Sequence, residues 1–244
     1  MNILAIIILL LCPAEDPKEI DSERELARMT KQELIASAEY LSPEEKAMVW
    51  EINLVRSDPQ AYIPFVQEEL AKLKLDSARL SSIRSESIRR RVTTVNGQEV
   101  VNVDTVYLNY YQNRLLAMSE LLIELGKTVP MDGLEPSEPL HRAAVKHGDS
   151  QAEDAYIDHR GKDGSWPLDR HLKEASFIED GNENIVRTPG DPRSVVIQLL
   201  IDSGVPHRGH RQNILAPKWK YISCHHVRQL DEGDIRWWLQ EFAY

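Results

Sequence analysis

Three observations predict an α+β fold for this chain. Apolar residues recur at helical spacing through the first half. Near-continuous β-type runs come late, at 221–227 and 235–242. Of 244 residues, 42% are hydrophobic and 28% charged. That balance supports a buried core within one domain and excludes wholesale disorder.

The first well-marked element opens at Ser42-Pro43-Glu44-Glu45. Ser42 is a cap, Pro43 suits a first turn, and Glu45 stands where a capping box needs it. Met48, Ile52 and Val55, with Val49 and Trp50 beside them, carry the helical period to Ser57-Asp58-Pro59. A second helix follows, with Tyr62, Phe65, Val66, Leu70 and Leu73 on one face. Ser81 to Arg91 is polar and basic, and Asn96-Gly97 between Val92–Val95 and Glu99–Val101 signals a hairpin. The run Arg89-Arg90-Arg91 could contact an anionic partner, but a solvated helix face is the favoured reading. Leu115, Met118, Leu121, Leu122 and Leu125 mark a further helix. Leu140, Ala143, Ala144, His147 and Gln151 lie along a small-residue helix face. Val195 to Ile201 is an apolar helix capped by Asp191 or Ser194, with Pro192 in its first turn.

Ile3 to Leu11 is an apolar run too short to span a bilayer, which takes roughly 20 residues. Its length suits a signal-peptide core, with Cys12 and Ala14 at the −3 and −1 positions of a cleavage site. An uncleaved N-terminal anchor, or a lipid on Cys12, is the alternative. Either way the remainder is expected outside the cytosol, secreted or in the cell envelope, with membrane contact only through an uncleaved leader. The expected organisation is a signal peptide over 1–14, a charged approach segment over 15–42 and a domain over 43–244 with an insert at about 75–130. The formal net charge of −10 argues against nucleic acid as the partner. Two cysteines, Cys12 and Cys224, are too few for a disulfide framework, and a lone Cys224 fits a buried strand position. Oligomeric state is not legible.

Imidazoles and carboxylates concentrate between His141 and His226. His159, Glu183, Asp202 and His210 are the residues of interest, since two histidines and two acids around a cleft can hold a divalent cation or move protons near neutral pH. Their spacing does not by itself bring them together, and solvated loops would look the same.

The string Asp202-Ser203-Gly204-Val205-Pro206-His207-Arg208-Gly209-His210-Arg211-Gln212-Asn213-Ile214-Leu215 resembles the signature of the CAP superfamily, the cysteine-rich secretory, antigen 5 and pathogenesis-related proteins, in its bacterial extracellular branch. Leu140–Asp149, Asp158–Arg170 and Asn182-Glu183-Asn184-Ile185 resemble further family segments in the family's order. Glu51–Arg56, with Pro59 and Tyr62, fits its first helix, and Trp238–Ala243 its last strand. The resemblance implies a three-layer α-β-α sandwich with a cleft tetrad on His159, Glu183, Asp202 and His210. It further implies that a divalent metal, Zn or Mg, can sit at His159 and His210, with no cofactor obligatory. Two departures stand out. Asp202 occupies a position where relatives often carry Glu, and Tyr221–His226 replaces a Gly-x-Gly strand, which bears on access to the cleft.

Other residues receive structural readings. His147 is expected to be packed behind the site. His207 offers only a conceivable i, i+3 partner to His210. His225 and His226 point to opposite strand faces, neither of them catalytic. Arg211 and Asn213 serve loop backbone or acids, and Trp219, Trp237 and Trp238 belong mostly to the core. The function implied is a secreted module binding a small molecule, a lipid, a divalent cation or an envelope component. The alternatives are a metal-assisted hydrolase, conceivably a peptidase, with Glu183 as general base, and a protein-interaction module built on the insert.

Overall fold

The structure, a computed structural model, describes residues 30–81, 90–95, 98–103, 106–205, 207–228 and 235–244. The leader and Asn96-Gly97 lie outside the described residues. Helix α1 (Pro43–Ser57) starts as its sequence dictates: the Glu45 amide donates to Ser42 Oγ at 3.3 Å and the Ser42 amide to Glu45 Oε2 at 2.8 Å. Asp58 ends it and caps the 3-10 turn Pro59–Tyr62, which leads into α2 (Ile63–Ser81). Strands β1 (Arg90–Val95) and β2 (Gln98–Val103) pair antiparallel with Val95 opposite Gln98, the register a two-residue turn requires. Arg90 and Arg91 therefore lie on a strand and not on the helix face expected of them, because the β-branched run after them extends the chain.

The remaining elements are α3 (Val106–Leu125), β3 (Glu135–Pro136), α4 (Glu138–Asp154), α5 (Pro167–Glu174), β4 (Gly181–Thr188), α6 (Pro192–Ile201), α7 (Gly209–Leu215), β5 (Tyr221–Arg228) and β6 (Arg236–Ala243). Asp191 caps α6 by accepting the Ser194 amide at 2.8 Å. The sheet order is β3-β5-β6-β4, with β6 antiparallel to both neighbours.

Alternation along the strands builds the α-β-α sandwich. Ile222, Cys224, Trp238 and Phe242 turn to a core shared with Met48, Ile52, Met118, Leu121, Val196 and Leu200 of α1, α3 and α6. Leu239, Ile185 and Ala243 turn the other way, against Ala144 and Leu140 of α4. Both faces of β6 are covered, so all eight of its residues are buried, the polar Arg236, Gln240 and Glu241 along with the aromatic and apolar ones. Each fully buried aliphatic side chain contributes about 1.5–3 kcal/mol. Trp219, Trp237 and Trp238 are buried, as the sequence suggested, and so is Cys224, whose thiol pKa burial pushes up. Part of the charged approach segment is also in the core: Ile35, Ala38 and Leu41 are buried with the α1–α6 cluster, and Lys31 pairs with Glu135 at 2.6 Å.

A buried guanidinium fixes the cleft side. Arg56 of α1 donates to the carbonyls of Asp132 (3.0 Å), Ile214 (3.0 Å) and Ala216 (2.8 Å). Burial lowers its pKa to about 10, and the three carbonyls at the end of α7 and before β3 each gain a donor away from water.

Candidate functional site

The first half of the site is assembled on β4, α4 and α5. Helix α4 ends at Ala155 in the left-handed region (φ 51°), which turns the chain into the loop carrying His159. His147 Nε2 lies 3.0 Å from the Asp158 carbonyl, and the Gln151 amide donates to the same oxygen at 2.8 Å. Arg170 of α5 donates to the carbonyls of His159 (3.1 Å) and Ser165 (3.0 Å). Held on both sides, the His159 ring places Nδ1 3.0 Å from Glu183 Oε1, which also accepts Arg170 Nη2 at 2.7 Å. His147 Nε2 stands 3.8 Å from that oxygen, so His147 is the packed supporting residue that its helix face implied.

Glu183 is buried and pairs across the sheet with the buried Glu241 of β6, whose Oε2 lies 2.8 Å from His171 Nε2. Consecutive residues of α5, Arg170 and His171, thus each place a nitrogen against one of two neighbouring acids. Among the described residues Glu183 Oε2 and Glu241 Oε1 are buried without a partner. Burial, then the nearby Glu241 carboxylate, raise the Glu183 pKa despite His159, Arg170 and His147. The Glu183 hydrogen bond raises that of His159. Burial lowers that of His147.

The second half is built where α6 meets α7. Asp202 caps α6 in the left-handed region (φ 51°), a conformation that Asp and Asn tolerate better than most residues. This turn aims the carboxylate at the start of α7. Oδ2 accepts the His210 amide at 3.0 Å, and Oδ1 lies 2.7 Å from His210 Nδ1. An aspartate reaches because its backbone is so close. Arg208 donates to the Asp202 carbonyl at 2.8 Å and to Glu120 at 2.9 Å, holding the turn.

The halves join through neighbouring residues of β4. Asn184 donates to the His210 carbonyl at 3.2 Å, and Asn213 donates to the Glu183 carbonyl at 3.3 Å and to Asn184 Oδ1 at 2.8 Å. Helix α7 so covers the outer edge of β4, an edge that would otherwise present unpaired carbonyls. Arg211, fully buried, donates to the carbonyls of Leu200 (2.6 Å), Ala117 (2.9 Å) and Ile201 (3.1 Å). The structural roles expected of Arg211 and Asn213 match these contacts.

The arrangement is therefore two histidine–carboxylate pairs, His159–Glu183 and His210–Asp202, each using Nδ1 and leaving Nε2 as the remaining ring nitrogen. His207 is exposed and contributes its carbonyl to Gln212 at 2.8 Å. Beside the first pair lies a cavity of about 380 Å³ lined by His147, Arg170, Lys146, Lys162, Lys173 and Glu174, among others. Its lysines are paired with acids: Lys146 with Glu174, Lys173 with Asp163, Lys162 with Asp154.

Two features escaped the sequence reading. The His171–Glu241 pair gave no signal, because His171 lies in no recognised segment and Glu241 was read only as part of the last strand. The other is a cluster at the opposite side of the sheet. Among the described residues the one group of three metal-type side chains with donor atoms mutually within 4.8 Å is Glu45, His141 and His225, and the tetrad forms no such group. His225 and His226 do face opposite sides of β5, His225 toward Asp149 of α4 and His226 stacked on Trp238, yet both rings approach Glu45. The reason is that Glu45 sits at the edge of β5 beyond the reach of the two-residue β3 and accepts the His226 amide at 3.2 Å.

Comparison with known proteins adds the following. The model of the CAP, cysteine-rich secretory protein family matches residues 107–242. The match begins inside the stretch read as an insert, and α1 and α2 precede it. Comparison with curated proteins finds no match. Among solved structures, an outer surface protein from Borrelia burgdorferi is similar over 64% of this chain and 98% of its own, at 15% identity and TM-score 0.40. An extracellular protein containing an SCP domain from Bacillus anthracis str. Ames is similar over 56% of this chain, which spans 40% of that one, at 17% identity and TM-score 0.39. With more than half of its length matched, this chain belongs to the CAP, or cysteine-rich secretory protein, family.

Proposed function

We propose that the chain is an extracytoplasmic CAP module that binds a ligand at the β4 edge without turning it over. One observation carries this reading. The carboxylates of Glu183 and Asp202 face Nδ1 of His159 and His210, and among the described residues no hydroxyl or thiol is hydrogen-bonded to the Nε2 that either ring leaves open. A pair of this kind binds. Its Nε2 nitrogens can accept a hydrogen bond, donate one, or ligate a soft or borderline cation, while the carboxylates hold the rings in place. The cavity beside His147 and Arg170 is of a size to take part of a lipid headgroup or envelope component, and its paired lysines can exchange an acidic partner for an anionic group of the ligand.

The test is native mass spectrometry of protein recovered from envelope extract, with elemental analysis of the same sample. A retained small molecule or cation, released in the His159→Ala/His210→Ala variant, supports the reading. Protein that emerges free of both overturns it. Metal-assisted hydrolysis is the second reading, supported by the same two Nε2 atoms and by a Glu183 acid whose raised pKa suits proton transfer. It requires activity on an extract that disappears in the same double variant.

A further inference from the structure

We propose that Glu45, His141 and His225 form a binding site for a divalent transition-metal ion of the zinc class, separate from the β4 cleft. The donors come from three elements. Glu45 is in the first turn of α1, His141 in the first turn of α4, and His225 on β5. Glu45 Oε1 lies 2.9 Å from His225 Nδ1, and Glu45 Oε2 lies 3.5 Å from His141 Nε2. The ligand atoms of a four-coordinate zinc with bonds of about 2.0–2.1 Å stand roughly 3.3 Å apart, so these spacings close on an ion with small side-chain movements. The side chains are 5%, 13% and 14% exposed, which limits competition from water.

Two further observations point to a ligand. First, the outer nitrogen of His225, Nε2, lies 3.2 Å from Asp149 Oδ1. A carboxylate beside one ring nitrogen, with the other facing the proposed ion, is the arrangement in which a supporting acid orients a metal-binding histidine. Nδ1 is held 2.9 Å from Glu45 Oε1, where a shared ion would find both atoms. Second, His141 Nε2 and His226 Nδ1 are buried without a hydrogen-bond partner among the described residues, and both face the Glu45 carboxylate, at 3.5 and 3.7 Å. Two imidazoles and one carboxylate select zinc, cobalt or nickel over magnesium, which prefers oxygen donors. An ion here would tie α1 in one helical layer to α4 in the other, across β5. The site lies two strands away from β4, about 10 Å at the usual strand spacing.

The experiment titrates the full, chelator-stripped chain with Zn²⁺ by calorimetry and with Co²⁺ by visible absorption, at pH 7.5. The expected result is a 1:1 site giving an intense four-coordinate Co²⁺ spectrum, with the thermal transition raised by Zn²⁺. His159→Ala/His210→Ala keeps that spectrum, whereas His141→Ala and His225→Ala lose it. Asp149→Asn, which touches no metal in this proposal, weakens binding by about 10–100-fold. Because His225→Ala removes contacts to two acids, His141→Ala, whose Nε2 has no partner to lose, is the variant that decides if the other fails to fold. No 1:1 binding by the parent chain overturns the proposal. So does binding that survives His141→Ala and vanishes with His159 and His210, which would instead place the ion in the cleft.

Discussion

Replacing Arg170 by Met is the sharpest test of how the cleft is held. The guanidinium is almost fully buried and donates to Glu183 Oε1 at 2.7 Å, to the His159 carbonyl at 3.1 Å and to the Ser165 carbonyl at 3.0 Å. Methionine fills similar volume but leaves the buried Glu183 next to the buried Glu241 without its guanidinium. Breaking a buried pair by removing one partner costs about 3–5 kcal/mol, and most of that is the stranded charge. Against a global stability of about 5–15 kcal/mol, this is a large fraction. With about 2–4 °C per kcal/mol for a domain of this size, the melting midpoint should fall by roughly 6–20 °C. Adding Glu183→Gln to Arg170→Met removes the stranded charge, so the double variant should be more stable than the sum of the singles by about 1–3 kcal/mol. Urea or thermal denaturation of the four proteins measures this. Strict additivity would refute the idea that Arg170 acts chiefly as the counter-ion of Glu183, and would leave only its two carbonyl bonds.

Further outcomes can be stated. Arg211→Met removes four donated hydrogen bonds, to the carbonyls of Leu200, Ile201 and Ala117 and to Glu124 Oε2, and should cost about 4 kcal/mol at about 1 kcal/mol per lost bond; Arg211→Lys, unable to reach all four, should recover only part by the same denaturation assay. A Cβ on Gly181 would stand 2.2 Å from His171 Nδ1, so Gly181→Ala should destabilise by about 1–3 kcal/mol and shift the His171 resonances, whereas Gly209→Ala, where a Cβ meets open space, should not. In an NMR titration His159 should titrate above the ordinary histidine value of 6.5 and move down in Glu183→Gln, while His147 titrates below it. The raised His159 value means its contribution to stability is complete below pH 6.5 and is lost as pH rises through the folded value; the lowered His147 value means the reverse, a contribution present above 6.5 and lost as pH falls. Equal midpoints for the two rings would show that the Glu183 hydrogen bond does not form.

Much of the architecture was written locally. Ser42 and Glu45 announce α1 through the reach of their own side chains, Asp191 announces α6, and alternation plus a two-residue turn pairs β1 with β2. The run Trp237-Trp238-Leu239 reads as part of a strand whose two faces are both covered, and His159, Glu183, Asp202 and His210 stood out by their wording. What wording cannot carry is which acid meets which imidazole. Asp202 reaches His210 because a left-handed residue at a helix end turns the short carboxylate onto the next helix, and Glu183 meets Arg170 and Glu241 because strand register and the placement of α5 bring them together. Glu45 shows the limit most plainly. From sequence it is half of a capping box with Ser42, three residues away. Its carboxylate also gathers histidines 96 and 180 residues further along, since the first turns of α1 and α4 meet beside β5. Local hydrogen bonds follow from neighbours in the chain; long-range electrostatic clusters depend on how layers stack, and only the folded molecule settles that.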